Sequence, residues 1–144
     1  MFSWNHKPQL RKAQNSAFHA GETWQYQTRP HESDSTFFVW RVETLPDGSN
    51  VVHIQLQGLK IQSPLAPGGS TEVAEHLPVS ETALSGSATR KISGAEALPM
   101  PEGYEQWRRE WERGRAEVFT TSLGEIANFL EQALSKGNES TTPA

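Results

Sequence analysis

The chain contains no cysteine in 144 residues. That absence removes disulfide frameworks, Cys-based zinc sites, iron–sulfur clusters and thiol catalysis together. It also leaves nothing that calls for an oxidising compartment. Long apolar runs are missing too. None approaches the roughly 18–20 residues that a membrane helix needs, so no membrane partner is expected. No apolar stretch follows Lys7, Arg11 and Lys12, so no secretory signal is read, and the expected location is cytoplasmic.

Excess positive charge is absent as well. Thirteen Lys and Arg face seventeen Asp and Glu, a formal charge of −4. A dedicated nucleic-acid binder carries a basic field to neutralise phosphates, so no nucleic-acid partner is expected. The local basic cluster of Arg108, Arg109, Arg113 and Arg115 is interleaved with Glu105, Glu110, Glu112 and Glu117. It reads as a solvated helix face. Also lacking are a G-x-S-x-G elbow, a P-loop, a G-x-G-x-x-G turn after a strand and an H-E-x-x-H helix. Pro67-Gly68-Gly69-Ser70 has the glycines of a phosphate cradle but no lysine, and reads as a loop.

Aromatic residues are present in number: five Trp, six Phe and two Tyr. Each can bury roughly 150–250 Å², enough for one modest core. Residues 23–28 alternate with period two, Trp24 and Tyr26 on one side, Gln25 and Gln27 on the other. Residues 36–45 form a second strand, with Phe38, Trp40 and Val42 on one face and Phe37, Val39, Arg41 and Glu43 on the other. Pro46-Asp47-Gly48 supplies hairpin-turn chemistry. Residues 51–61 follow, with Val52, Ile54 and Leu56 opposite His53, Gln55 and Gln57. After Gly58 the apolar parity switches to Leu59 and Ile61. A β-bulge is the favoured reading of that slip, departure of the strand from the sheet its alternative.

Ser80 is a candidate cap for a short helix over 81–87, weakened by Gly86. Residues 89–92 read either as a fourth strand or as the end of that helix. Tyr104, Trp107 and Trp111 recur at helical spacing over 102–113, with Gly114 as the stop. Residues 116–120 read as a short strand. Ser122-Leu123-Gly124-Glu125 fits a capping box, with Ile126, Phe129, Leu130 and Leu134 on one face of the helix that follows, ending at Gly137.

Strands come first and helices after, which favours α+β. The expected architecture is an antiparallel β-meander of 3–5 strands with two or three helices packed mainly on one face. Trp24, Tyr26, Phe38, Trp40, Val42, Val52, Ile54 and Leu56 are the expected core side of the sheet. Trp107, Trp111, Ile126, Phe129 and Leu130 are their expected helical partners. One domain is expected over 21–136, between an ill-defined segment 1–20 and a frayed tail 137–144.

Gly21-Glu22-Thr23-Trp24-Gln25-Tyr26, Val52-His53-Ile54, Gly58-Leu59-Lys60-Ile61, His76-Leu77-Pro78-Val79-Ser80, Gly103-Tyr104-Glu105-Gln106-Trp107 and Val118-Phe119-Thr120-Thr121-Ser122 occur in this order. In that pattern the chain resembles a family of small bacterial proteins that carry a domain of unknown function, over about residues 21–134. The resemblance implies a soluble, single-domain bacterial protein and brings no activity, cofactor or catalytic residue.

Two functional readings remain. The favoured one is a non-catalytic binding or protein-interaction module, motivated by the missing catalytic signatures and the Gln-rich sheet face (Gln25, Gln27, Gln55, Gln57). Its partner would be a protein or a small polar ligand, with Gln55, Gln57 and His76 as ligand-binding candidates, and the chain a monomer or a homodimer. The alternative is a small enzyme using His53 as general base, with Glu43 fixing its tautomer and Arg41 on the same surface. No cofactor and no metal are expected; His31, Glu32 and Asp34 could hold a divalent ion but read as a polar turn. Tyr104, Trp107 and Trp111 with Arg108 could form a stacking platform only if one indole faced a concave surface, and otherwise read as a core stripe.

Overall fold

The computed structural model describes residues 9–62 and 69–140. Its main sheet is antiparallel. In chain order its strands are β1 (Arg11–Lys12), β2 (Glu22–Tyr26), β3 (Thr36–Thr44), β4 (Asn50–Gln57), β7 (Ala74–Ser80) and β8 (Ala88–Gly94). They lie in the order β7-β4-β3-β2-β8, with β1 pairing the far end of β3. Two short strands, β5 (Ile61–Gln62) and β6 (Ser70–Thr71), form a separate ribbon. Three helices complete the α+β fold: α1 (Glu81–Ser87), α2 (Glu102–Glu112) and α3 (Leu123–Ser140).

The helices divide between the two faces. One face carries Phe37, Val39, Val42, Val52, Ile54, Leu56, Leu77 and Val79, and packs on Leu84 of α1 and Leu123, Ile126 and Ala127 of α3. The other carries Val51 and His53, and is covered by Tyr104 and Trp107 of α2 together with Leu10. Two helices on one side and one on the other leave the end of the second face uncovered. There Gln25, Thr36 and Gln57 form one cross-strand row.

Burial on both faces explains where the period-two reading needs correction. Phe37 and Val39, paired with Leu56 and Ile54, belong to the α1/α3 side; Phe38, opposite Gln55, belongs to the other. The register shifts between Val39 and Arg41, so that Trp40 and Arg41 together oppose His53. Two residues against one is a β-bulge, and it returns Val42 to the α1/α3 side. Trp24, Tyr26 and the β4 aliphatics lie as their alternation predicts. Trp107 and Trp111 lie on the opposite side from Ile126, and Phe129 is exposed.

At Gly58 the strand leaves the sheet instead of bulging. β4 stops at Gln57, and Gly58 has φ +75, a left-handed conformation in which a Cβ would sit 3.2 Å from Ser35 Cα. The exit turns Leu59 and Ile61 into the α3-side core. Residues 89–92 are part of strand β8, paired with β2. Of 116–120 only Phe119 bridges, in parallel to Val79. The Ser80 hydroxyl caps α1 by accepting from Ala83 N, and that of Ser122 accepts from Glu125 N, each at 3.2 Å. α3 runs past Gly137 to Ser140. Of the Pro67–Ser70 motif, residues 67 and 68 lie outside the described residues.

Candidate functional site

The β3 bulge and α2 bring six polar side chains together. Arg41 and Glu43 project from β3, His53 from β4 and His76 from β7, while Tyr104 and Arg108 reach down one turn apart from α2. The i, i+4 spacing places the last two on one helical stripe.

His53 is fully buried, and Glu43 is 4% exposed. His53 Nε2 lies 2.9 Å from Glu43 Oε1, and His53 Nδ1 lies 2.9 Å from His76 Nε2. The carboxylate only accepts, so His53 donates from Nε2. Its Nδ1 must then accept, and His76 donates from its own Nε2. The Tyr104 hydroxyl donates to Glu43 Oε2 at 2.9 Å and accepts from Arg41 Nη1 and Arg108 Nη1, each at 3.0 Å. Both guanidiniums stand just short of full pairing with Glu43, at 3.9 and 3.8 Å from Oε2.

Aromatic rings close the cluster. The two imidazoles stack at 5.1 Å, and the edges of Tyr104 and Trp107 meet His53 at 4.9 and 4.8 Å. α2 comes this near because residue 103 is glycine; a Cβ there would stand 3.2 Å from the Cβ of His76.

Protonation follows from this enclosure. Burial pushes His53 down, and the Arg41 and Arg108 charges add to it against the resistance of Glu43. Burial beside His53 takes His76 down to about 4. Burial alone would raise the Glu43 carboxyl; hydrogen bonds from His53 and Tyr104 and the Arg41 charge more than offset it, and Glu43 is held below the usual carboxylate range. Burial and the Glu43 carboxylate hold the Tyr104 phenol up. At neutral pH the cluster is one carboxylate, two neutral imidazoles, a neutral phenol and two guanidiniums.

Two clefts flank it. One, of about 680 Å³, is lined by Lys12, Phe18, His19, Trp40, Arg41, Glu43 and the 97–100 segment, among others. The second, of about 700 Å³, is lined by Leu10, Leu45, Asp47, Arg108, Trp111 and Glu112, among others. Comparison with family models, with curated proteins and with solved structures finds no match for this chain. The chemistry must therefore be read from the geometry.

Arg41, Glu43, His53 and His76 meet in one network. Gln55 and Gln57 do not join it. They bond one another at 2.6 Å near Glu75, and neither lines the two clefts. Tyr104 and Trp107 are core, whereas Trp111 is half-buried and lines the second cleft. In the His31 turn, Glu32 is buried and paired with Arg29 at 2.8 and 2.9 Å. Among the described residues no group of three or more His, Asp or Glu converges as a metal site. Sequence reasoning missed Tyr104 as a polar partner, Arg108 as a network member and Lys12 as a cleft residue. The i, i+4 spacing of Tyr104 and Arg108 was the available signal for the first two; Lys12 had none, because its place depends on the pairing of β1 with β3.

Proposed function

We propose that this protein is a non-catalytic binding module of the bacterial cytoplasm, taking a small polar ligand in the cleft beside Arg41. The observation that carries this reading is the state of Arg41. One of its N–H groups is anchored on Tyr104 and its guanidinium carbon stands 5.2 Å over that ring, yet its side chain is 44% exposed where it lines the cleft. A preorganised donor at the wall of a cavity of several hundred Å³ is the usual make-up of a ligand site.

A general base must reach the proton that it removes. His53 has no exposed surface and both ring nitrogens are engaged; both Glu43 oxygens are engaged too. This favours binding over catalysis. Among the described residues no helix is long and apolar enough to cross a membrane.

The test is a panel of small polar compounds screened by ¹H–¹⁵N NMR. The expected result is saturable shifts at the amides of Arg41, Val42 and the 97–100 segment, lost in Arg41→Ala. A panel that moves none of these amides overturns the reading.

A further inference from the structure

The Arg41 cleft is electropositive in a chain whose net charge is −4. Lys12 stands directly across the β1–β3 ladder from Glu43, and Arg41 is two residues from Glu43 along β3. Lys12, Glu43 and Arg41 all line the cleft, and Lys12 is exposed. Glu43 is the one carboxylate among the described residues lining it. That carboxylate is already committed, Oε1 to His53 and Oε2 to Tyr104. It therefore balances one positive charge and, among the described residues, leaves the other without a close counterion.

The remaining lining is largely apolar and includes Trp40, Leu98, Pro99 and Met100. Leu98 is 53% exposed. A largely apolar wall beside two cationic side chains fits a ligand with one anionic end and one apolar end.

We infer that the ligand of this cleft is an organic monocarboxylate with an apolar body, its head group held by Arg41 and Lys12. The inference deepens the binding-module reading and rests on it. A carboxylate matches the planar fork of a guanidinium and can take two parallel hydrogen bonds. Arg108 lines the second cleft beside Glu112, so among the described residues lining this cleft one negative charge balances the single excess positive charge, whereas a phosphate dianion would overshoot it next to ionised Glu43. The second cleft presents Asp47 and Glu112 beside Arg108 and repels the same ligand.

The experiment uses octanoate, its neutral isostere octanamide, and inorganic phosphate, each titrated into the full chain and followed by ¹H–¹⁵N NMR. Octanoate is expected to shift the amides of Lys12, Arg41 and the 97–100 segment, and to leave Trp111 still. Losing one charge-assisted contact costs roughly tenfold in affinity. Octanamide should therefore bind about tenfold more weakly than octanoate, and Arg41→Gln should shrink that difference to the part that Lys12 supplies. Lys12→Gln, at an exposed position, gives a second variant that keeps the fold and should weaken octanoate severalfold. Equal binding of octanoate and octanamide, phosphate competing as an equal, or shifts centred on Trp111 overturns the monocarboxylate inference while a polar ligand in the Arg41 cleft still stands. If none of the three probes and no member of the polar panel moves a cleft amide, the binding-module reading falls with it.

Discussion

His53 Nε2 and Glu43 Oε1 lie 2.9 Å apart, sealed between the sheet and α2. The pair fixes the direction of every hydrogen bond around it, because the carboxylate can only accept. Glu43→Gln puts an amide where two donors converge, the imidazole N–H and the Tyr104 hydroxyl. One oxygen cannot replace two, so the NH₂ group faces a donor unless both imidazoles exchange tautomers, and the Arg41 and Arg108 guanidiniums lose the nearby carboxylate charge in either case. We expect a loss of about 3 kcal/mol, the scale of an unsatisfied buried polar group beside a charge. Urea unfolding measures it, and a change within about ±0.5 kcal/mol, the range of an ordinary surface substitution, would show that the pair is not buried as described.

The two imidazoles make stability depend on pH. His76 titrates at about 4 when folded against 6.5 for an ordinary histidine. Its contribution is fully present above 6.5 and is lost as pH falls toward 4, because the unfolded chain then takes up a proton that the folded chain refuses. His53, also lowered by burial, acts in the same direction. Glu43 is depressed below 4.5 and loses its contribution only below that value. At about 1.4 kcal/mol per pH unit, His76 alone sets an upper limit of about 3 kcal/mol. Urea midpoints should fall steadily from pH 7 to pH 4.5, and His76→Gln should flatten the slope. A level profile contradicts the burial of this histidine pair.

Much of the sheet was legible from residues 23–28 and 51–57, where polar and apolar residues alternate cleanly. Phe37-Phe38-Val39-Trp40 has no such alternation, because both faces of β3 are covered there. Parity alone could not say which of its aromatics belonged to which side. The bulge at Trp40 then hid the change of phase. The site was half legible for the same reason. Arg41, Glu43 and His53 share a face by strand geometry, but nothing in the strands themselves shows that this face is covered. Its cover comes from α2, whose aromatic stripe matches either side of the sheet equally well. Nothing in the local sequence of α2 chooses between them.

The Tyr104 hydroxyl touches Glu43, Arg41 and Arg108 together. Tyr104→Phe keeps the ring edge against His53 and removes only the hydroxyl. Glu43 loses a donor and both guanidiniums lose their common acceptor. The expected cost is about 1–3 kcal/mol in urea unfolding, since Arg41 and Arg108 remain partly solvated. Arg41 is then no longer anchored, so octanoate affinity should fall severalfold while octanamide is unaffected. An unchanged octanoate affinity would show that the phenol does not position Arg41.

Gly103 sets how closely α2 approaches the histidines. A Cβ added at this position would stand 3.2 Å from the His76 Cβ, tight against a side chain that His53 holds on its other side. Alanine is normally preferred to glycine inside a helix by about 1 kcal/mol. Gly103→Ala should not realise that gain, because the methyl lifts α2 from β7 or turns His76 away from His53. The imidazole stack would open, and the histidines would regain water. The expected signature is a His76 titration moving up from about 4 toward 6.5 in NMR, with net stability unchanged or lower. A variant stabilised by the full helix-propensity difference, with His76 still titrating near 4, would mean that the contact yields without cost.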